Sequence, residues 1–251
     1  MKKYFFKELL LVSILLCLVG CETSNKTNKL DGKINKSINE EITEYFKKNL
    51  DTNWEYSDDK YKIDKDHNVE VIYNPLPFFP EQIADGSRKQ VIAAGRYVPQ
   101  KGFDRLILAW QFVTRKHPDW MLRIYGEGMR AELQQLIDSL GVTSSCILEP
   151  AVPNIVEKYC ESSVFVLSSR FEGFGMVIIE AMACGVPPVS FTCPCGPRDI
   201  INDGKDGLLV ENGNIEELAE KICYLIENEN VRREMGRQAR MDIERFRIEP
   251  I

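Results

Sequence analysis

The segment RFEGFGMVIIEAMACG, residues 170–185, joins a glycine-rich turn to an apolar run typical of a helix. We expect the helix to begin near Phe174, after Gly173. Without side chains, Gly173 and Gly175 leave backbone N–H groups open to a ligand, and the helix dipole adds partial positive charge at this end. The segment therefore predicts a site for a phosphate group.

Two glutamates stand in the same segment, eight positions apart. Glu172 is expected at the loop tip, where its carboxylate can accept hydrogen bonds from sugar hydroxyls. Glu180 is expected inside the helix on the side facing a crevice, where its two oxygens suit the two donors of a vicinal diol such as ribose. An unpartnered carboxylate among apolar neighbours is costly, which favours a ligand over a solvated helix position.

A second candidate loop lies earlier, in AAGRYVPQKGFDRLI. Gly95 allows a sharp turn, and Gly102 is expected to open a helix. Arg96 offers a planar fork and Lys101 a compact charge, a pair that suits a diphosphate. Taken alone, two such cations are more typical of a solvated surface.

The composition argues against metal and nucleic-acid chemistry. The chain has two histidines and eight cysteines, and Cys193 and Cys195 are separated by one residue, which is too close for a usual zinc pair. The net charge of −6 provides no global positive field for nucleic acid. We expect no metal, no cofactor and no nucleic-acid partner, and reduced, mostly buried thiols among the later cysteines.

The candidate loops fall between short β-type runs that alternate with helical segments. This alternation predicts an α/β fold, a Rossmann-like doubly wound parallel sheet whose ligands bind at the carboxyl ends of the strands. Three of the expected helices are MRAELQQLIDSLG, NIEELAEKICYLIEN and VRREMGRQARMDIERF. The six expected strands are QVIAAGR, MLRIYG, CILEP, VFVLSS, PPVSF and GLLV.

The amino terminus has a different character. Lysines precede an apolar run that is too short to span a bilayer, and residues 1–21 end in LVGC, which resembles the lipobox of a bacterial lipoprotein signal peptide. Cys21 would then be lipidated and anchor the chain to a membrane. Residues 22–67 read as a polar tether with one short amphipathic helix, which begins at the capping box of Ser37 and Glu40.

Residues 68–251 closely resemble the carboxyl-terminal, donor-binding half of family-4 (group 1) retaining glycosyltransferases of the GT-B fold. The resemblance rests on several motifs in order. VIYNPLPF is similar to the interdomain linker, GRYVPQKGFDRLI to the phosphate loop, and IYGEG to the next strand end. EGFGMVIIEAMACGVPPVS is similar to the paired-glutamate motif, and GPRDIINDGKDGLLV to the stretch that follows it.

The resemblance implies transfer of a sugar from a nucleoside-diphosphate sugar to an acceptor hydroxyl, with retention. Glu172, Arg96 and Lys101 would be catalytic, with the fixed positive charge replacing a metal ion. The acceptor would be an envelope polysaccharide or a lipid-linked glycan. The donor-binding residues would be Gly95, Arg96, Lys101, Gly173, Phe174, Gly175, Met176 and Glu180.

Two features leave alternatives open. The resemblance implies a first domain that residues 22–67 are too few to form. The leader predicts a membrane-anchored lipoprotein, whereas the transferase domain is of cytoplasmic type, where nucleotide sugars occur. The chain is therefore interpreted as a glycosyltransferase, as a non-catalytic module that binds nucleotide sugars, or as a lipid-anchored envelope protein that carries the α/β domain as a passenger.

Overall fold

The computed structural model describes residues 74–247. The leader 1–21 with Cys21, the tether 22–67 with its expected helix, and the ends of the 68–251 domain lie outside this range, so these predictions stay predictions. Within residues 74–247, no helix combines the length and apolarity needed to cross a membrane.

A six-stranded sheet forms the centre of the domain, and all six expected strands are confirmed. The core strands are buried on both faces, as expected for a parallel sheet covered by helices; every residue of the fourth strand, VFVL, is buried. The strands are β1 (Gln90–Ala94), β2 (Met121–Tyr125), β3 (Cys146–Glu149), β4 (Val164–Leu167), β5 (Pro188–Phe191) and β6 (Leu208–Val210).

The strand order is β3-β2-β1-β4-β5-β6, and every neighbouring pair is parallel. This is the order of a Rossmann-like doubly wound sheet, so the predicted fold class is confirmed. The direction of winding reverses between β1 and β4, where Val91 pairs with both Leu122 and Val164. Ligands of such sheets bind at this switch point, outside the carboxyl ends of the strands.

Helices cover both faces of the sheet. They are α1 (Phe103–Lys116), α2 (Arg130–Ser139), α3 (Ile155–Cys160), α4 (Met176–Ala183), α5 (Pro197–Ile200), α6 (Ile215–Glu227) and α7 (Glu229–Asp242), with 3₁₀ turns at Pro99–Lys101 and Ile243–Phe246. The α6 start illustrates the local rules: the Asn214 side chain accepts a hydrogen bond from the Glu217 N–H at 3.1 Å, and two glutamates occupy the first turn.

Two hydrophobic cores hold these layers together. On one face, Trp110 of α1 and Ile222 of α6 pack over Val91 and Ala93 of β1. On the other, α3, α4 and the final 3₁₀ turn pack over Ile92 and its neighbours. The alternation of side chains along β1 places each residue in one core or the other, which fixes the register of the strand that precedes the first candidate loop.

Candidate functional site

The loops after β1 and β4 lie side by side at the switch point and are joined by a buried ion pair. The Lys101 Nζ lies 2.8 Å and 3.0 Å from the two carboxylate oxygens of Glu172. The Lys101 and Glu172 side chains are 16% and 6% exposed, respectively. Ser169 donates a further hydrogen bond to Glu172 Oε1 at 2.5 Å. Lys101 and Glu172, which belong to different loops, therefore form a buried ion pair that joins the two loops.

The position of Glu172 differs from the sequence expectation. The sequence predicts Glu172 at the loop tip with its carboxylate open to sugar hydroxyls, whereas the structure buries this carboxylate against Lys101 and Ser169. The physical reason is the closeness of the loops: the turn that carries Lys101 brings an ammonium group under the second loop, and a buried charge requires a partner. Phe171, the preceding residue, is the exposed one.

Several contacts fasten the second loop to the first. Arg170 donates two parallel hydrogen bonds to Asp104 on α1, at 2.9 Å and 2.7 Å, and a third to the Pro99 carbonyl at 2.6 Å. The Ser168 hydroxyl donates to the Lys101 carbonyl at 3.0 Å. A bidentate pair of this kind restricts orientation as well as position, so the Lys101–Glu172 pair has a rigid support.

Glycines make this close approach possible. Gly102 has a φ of 63°, and a Cβ atom there would lie 2.0 Å from the Ser168 carbonyl oxygen. Gly102 precedes α1 directly, as the sequence predicts. At Gly95, a Cβ atom would meet the side-chain carbons of Lys101 at 3.4 Å, so the absence of a side chain at 95 gives Lys101 room to lie along the backbone.

Tyr97 ties the β1 loop to the neighbouring strand ends. Its hydroxyl lies between the carbonyl oxygens of Ile124 and Glu149, and donates to the former at 2.7 Å. Burial raises the pKa of Tyr97 to about 12, so the hydroxyl keeps its proton at neutral pH. The Gly126 backbone lies so close to this loop that a Cβ atom there would be 1.9 Å from the Gly95 carbonyl oxygen.

The amino terminus of α4 faces the same edge. The helix begins at Met176 rather than near Phe174, because Gly175 has a left-handed φ of 97° and ends the loop. No side chain caps this end, and its first turn contains no acidic residue. Gly173 is exposed, and a Cβ atom built on it would meet no atom within 4 Å. The N–H groups of the first turn therefore suit an anion.

The remaining predicted donor residues have distinct surroundings. Phe174 packs its ring edge-on against Phe246, with centroids 5.6 Å apart, so its contribution to a ligand would come from the backbone. Met176 is half-buried. Arg96 is exposed, and its guanidinium has no hydrogen bond or ion pair to any residue of the range 74–247. Arg96 is therefore a cation available to a ligand.

Glu180 is half-buried on α4 and has a protein partner. The Tyr159 hydroxyl of α3 donates to Glu180 Oε2 at 3.2 Å. Burial raises the pKa of the Glu180 carboxyl, and this hydrogen bond opposes the shift. Burial, reinforced by the Glu180 charge, also raises the pKa of Tyr159 well above its ordinary value. The carboxylate is thus oriented by α3 rather than turned into water.

Five residues that matter for this geometry were not assigned from the sequence: Tyr97, Asp104, Tyr159, Ser169 and Arg170. Ser169 and Arg170 lie three and two positions before Glu172, so a polar pair after the β4 strand was the available signal. Tyr159 had none, because its role depends on the packing of α3 against α4.

The thiols and acids of the described range form no metal site. No group of three or more histidine, cysteine, aspartate or glutamate side chains in residues 74–247 is arranged to hold a metal ion. The absence of a metal requirement remains a prediction. The cysteines of this range are mostly buried, as predicted: Cys146, Cys184, Cys193 and Cys223 are buried, Cys160 is half-buried and Cys195 is exposed. Their reduced state stays a prediction.

The sheet order defines a class: a Rossmann-like domain, here with basic, glycine-rich strand ends at its switch point. Comparison with known proteins supplies the family. Residues 77–242 match the family model described as glycosyl transferases group 1. The chain belongs to this family.

Relatives and solved structures agree. The chain is 34% identical to an uncharacterized glycosyltransferase of Haemophilus influenzae over 189 residues, which cover 74% of this chain and 54% of that protein. It is 34% identical over 158 residues to a poly(ribitol-phosphate) alpha-N-acetylglucosaminyltransferase of Staphylococcus aureus, covering 62% and 32%. The chain thus spans about half the length of the first of these relatives and about a third of the length of the second.

Among solved structures, a variant of S. aureus TarM in complex with fondaparinux, alpha-GlcNAc-glycerol and UDP has a TM-score of 0.64 at 30% identity, covering 72% of this chain and 38% of that one. The pneumococcal O-GlcNAc transferase GtfA in complex with UDP and GlcNAc has a TM-score of 0.63 at 25% identity, covering 84% and 41%. Both likenesses support a GT-B type domain.

Proposed function

We propose that this domain binds the donor of a retaining glycosyltransferase, a nucleoside-diphosphate sugar, at the switch point between β1 and β4. The diphosphate accepts hydrogen bonds from the first N–H groups of α4 and is neutralised by Arg96 and Lys101. The observation that carries this proposal is the uncapped terminus of α4, together with a buried lysine of the β1 loop that pairs with Glu172 in the loop leading to α4. The UDP bound in TarM and GtfA supports the assignment.

The two glutamates take different parts of the donor. Glu180, held by Tyr159, accepts the hydroxyls of the ribose. When a diphosphate replaces Glu172 as the partner of Lys101, the Glu172 carboxylate accepts hydrogen bonds from hydroxyl groups of the donor sugar. The leaving diphosphate gains negative charge as the glycosidic bond breaks, and fixed cations and helix amides lower the free energy of that transition state.

The reaction is transfer of a sugar to an acceptor hydroxyl of an envelope polysaccharide or glycolipid. Named relatives act in this area: they include the amylovoran biosynthesis glycosyltransferase AmsD of Erwinia amylovora and the capsular polysaccharide biosynthesis glycosyltransferase CapM of S. aureus. A lipidated Cys21 would place the domain at a membrane, which matches a lipid-linked or envelope acceptor.

Calorimetry of the full chain with UDP and GDP tests donor binding. Binding of one diphosphate, weakened at least about tenfold in Arg96→Ala or Lys101→Met, supports the proposal, since each change removes a charge-assisted hydrogen bond of about 1.5–3 kcal/mol. No heat with either diphosphate contradicts it. A subsequent assay with radiolabelled nucleotide sugars separates a transferase, which releases diphosphate, from a module that only binds the donor.

A further inference from the structure

A cavity lies between α3 and the strands β2 and β3. It has a volume of about 390 Å³ and is lined by Arg123 and Tyr125 of β2, Glu149 of β3, Lys158 of α3, and Glu161, which directly follows α3. Its position follows from the helix period. Lys158 and Glu161 point to one side of α3, whereas Tyr159 points to the other side and contacts Glu180. The cavity borders the donor loops at one point, where the Tyr125 carbonyl accepts a hydrogen bond from the Gly95 N–H at 2.9 Å.

Tyr125 gives the cavity an unused hydrogen-bonding group. Its residue is 7% exposed, and its hydroxyl makes no hydrogen bond to any residue in the part of the chain that the structure describes. Every fully buried side-chain oxygen or nitrogen of those residues has a partner, so the Tyr125 hydroxyl keeps some accessible surface, and Tyr125 lines the cavity. A ligand that accepts or donates a hydrogen bond there would complete it.

The charges of the cavity are paired with one another. Arg123 forms an ion pair with Glu149, and the Lys158 Nζ lies 2.9 Å from Glu161 Oε2. Arg123 Nε also donates to the Gln90 side-chain oxygen at 3.2 Å. Two cations and two carboxylates leave no net charge, so the cavity offers no electrostatic preference for an anion such as phosphate. It offers donors and acceptors in close alternation.

The cavity also has an apolar part. Pro150 and Val152 line it beside the aromatic ring of Tyr125. A sugar ring combines hydroxyls that both donate and accept with an apolar C–H face, which packs against aromatic and aliphatic side chains. Ligand sites in proteins have volumes of about 300–1,000 Å³, so this cavity is near the lower end of that range. Its volume fits one or two sugar units.

We propose that this cavity is a binding site for a neutral saccharide, separate from the donor site, with the Tyr125 hydroxyl and the Arg123–Glu149 and Lys158–Glu161 pairs as its polar contacts. The site takes one or two uncharged sugar units of a longer glycan. None of the residues that line the cavity is assigned to the donor, so this inference is tested independently of donor binding.

The test is a titration of the isotope-labelled full chain with maltose and with N,N′-diacetylchitobiose, followed by amide chemical shifts. We expect shifts centred on Tyr125, Lys158 and Glu161, with millimolar affinity. Tyr125→Phe keeps the ring and removes the hydroxyl, so we expect the saccharide affinity to fall about threefold to tenfold. The affinity of this variant for UDP or GDP should equal that of the wild type.

A second variant provides an independent test if Tyr125→Phe fails to fold. Glu161→Gln is on the exposed side of α3 and should also weaken saccharide binding, with an unchanged melting temperature. The inference is overturned if neither saccharide shifts these amides, if the shifts centre on Gly173 and Glu180, if saturating UDP displaces the saccharide, or if inorganic phosphate binds the cavity more tightly than the saccharides. Absence of UDP binding would bear on the proposed donor site alone.

Discussion

The buried Lys101–Glu172 pair makes a prediction that few other interpretations of the site would make. Glu172 forms an ion pair with the Lys101 ammonium group, to which we propose that the donor diphosphate binds. The Glu172 carboxylate and the diphosphate would therefore compete for Lys101. Glu172→Gln keeps the side-chain volume and a hydrogen-bond acceptor but removes the competing charge. We therefore expect this variant to bind UDP or GDP more tightly than the wild type, although it removes a residue from the centre of the site.

The magnitude follows from the contacts. The carboxylate makes two close contacts to Lys101, at 2.8 Å and 3.0 Å, and both side chains are largely buried. The difference between a charged and a neutral hydrogen bond is about 1 kcal/mol. In the Glu172→Gln variant, Lys101 gives up a hydrogen bond to a neutral amide instead of one to a carboxylate when the diphosphate binds. The dissociation constant for UDP or GDP should therefore fall about fivefold. The unliganded variant should be less stable by about 1–3 kcal/mol, because the buried ammonium loses its counter-charge.

Calorimetry at constant ionic strength measures the affinity, and urea denaturation measures the stability. Glu234→Gln is a matched control, because it makes the same change in net charge at an exposed ion pair with Arg237. The control should leave the diphosphate affinity unchanged. Weaker binding by Glu172→Gln, or an equal gain in both variants, would refute competition between Glu172 and the diphosphate for Lys101.

Four further outcomes are expected. Asp104→Asn should lower the free energy of unfolding in urea by about 1–2 kcal/mol, because it removes the charge from a bidentate pair; an unchanged urea midpoint would contradict a supporting role. Gly102→Ala should unfold or strongly destabilise the domain, whereas Gly173→Ala should keep the wild-type melting temperature in calorimetric scans, because its Cβ atom meets nothing. Burial raises the pKa of Glu180 above its ordinary 4.5, so the folded state holds the proton more tightly than the unfolded chain, and stability is lost as pH rises above 4.5. Glu180→Gln should therefore gain stability relative to the wild type as pH rises above 4.5 in urea titrations, and a constant difference would count against the burial of this carboxyl. Iodoacetamide followed by peptide mass mapping should label Cys195 before the buried thiols of the domain, and simultaneous labelling would contradict their burial.

The sequence predicted the fold because its signals are local. Each of the six strands is a short apolar run between turn residues, and the alternation with helices implies parallel crossovers. The same pattern placed Gly102 correctly at the start of α1 and identified both loops that meet at the switch point. These features depend on residues that are close together in the chain.

The errors and omissions concern contacts between distant segments. The burial of Glu172 follows from a lysine 71 positions earlier, and no spacing rule connects them. Tyr159 orients Glu180 from a different helix, 21 positions away. The two-residue error in the α4 start has a local cause, since the left-handed Gly175 ends the loop there. Pairing across loops is decided by packing, which one sequence does not reveal.

The central claim is that a diphosphate lies between the α4 terminus and the two cations of the β1 loop. A crystal structure of the full chain grown with UDP or GDP tests it most directly. We expect phosphate oxygens to accept hydrogen bonds from the amides of Gly175 and Met176, with Lys101 moved from Glu172 to the phosphate and Arg96 turned towards it. A diphosphate bound elsewhere, with Lys101 still paired to Glu172, would contradict the claim.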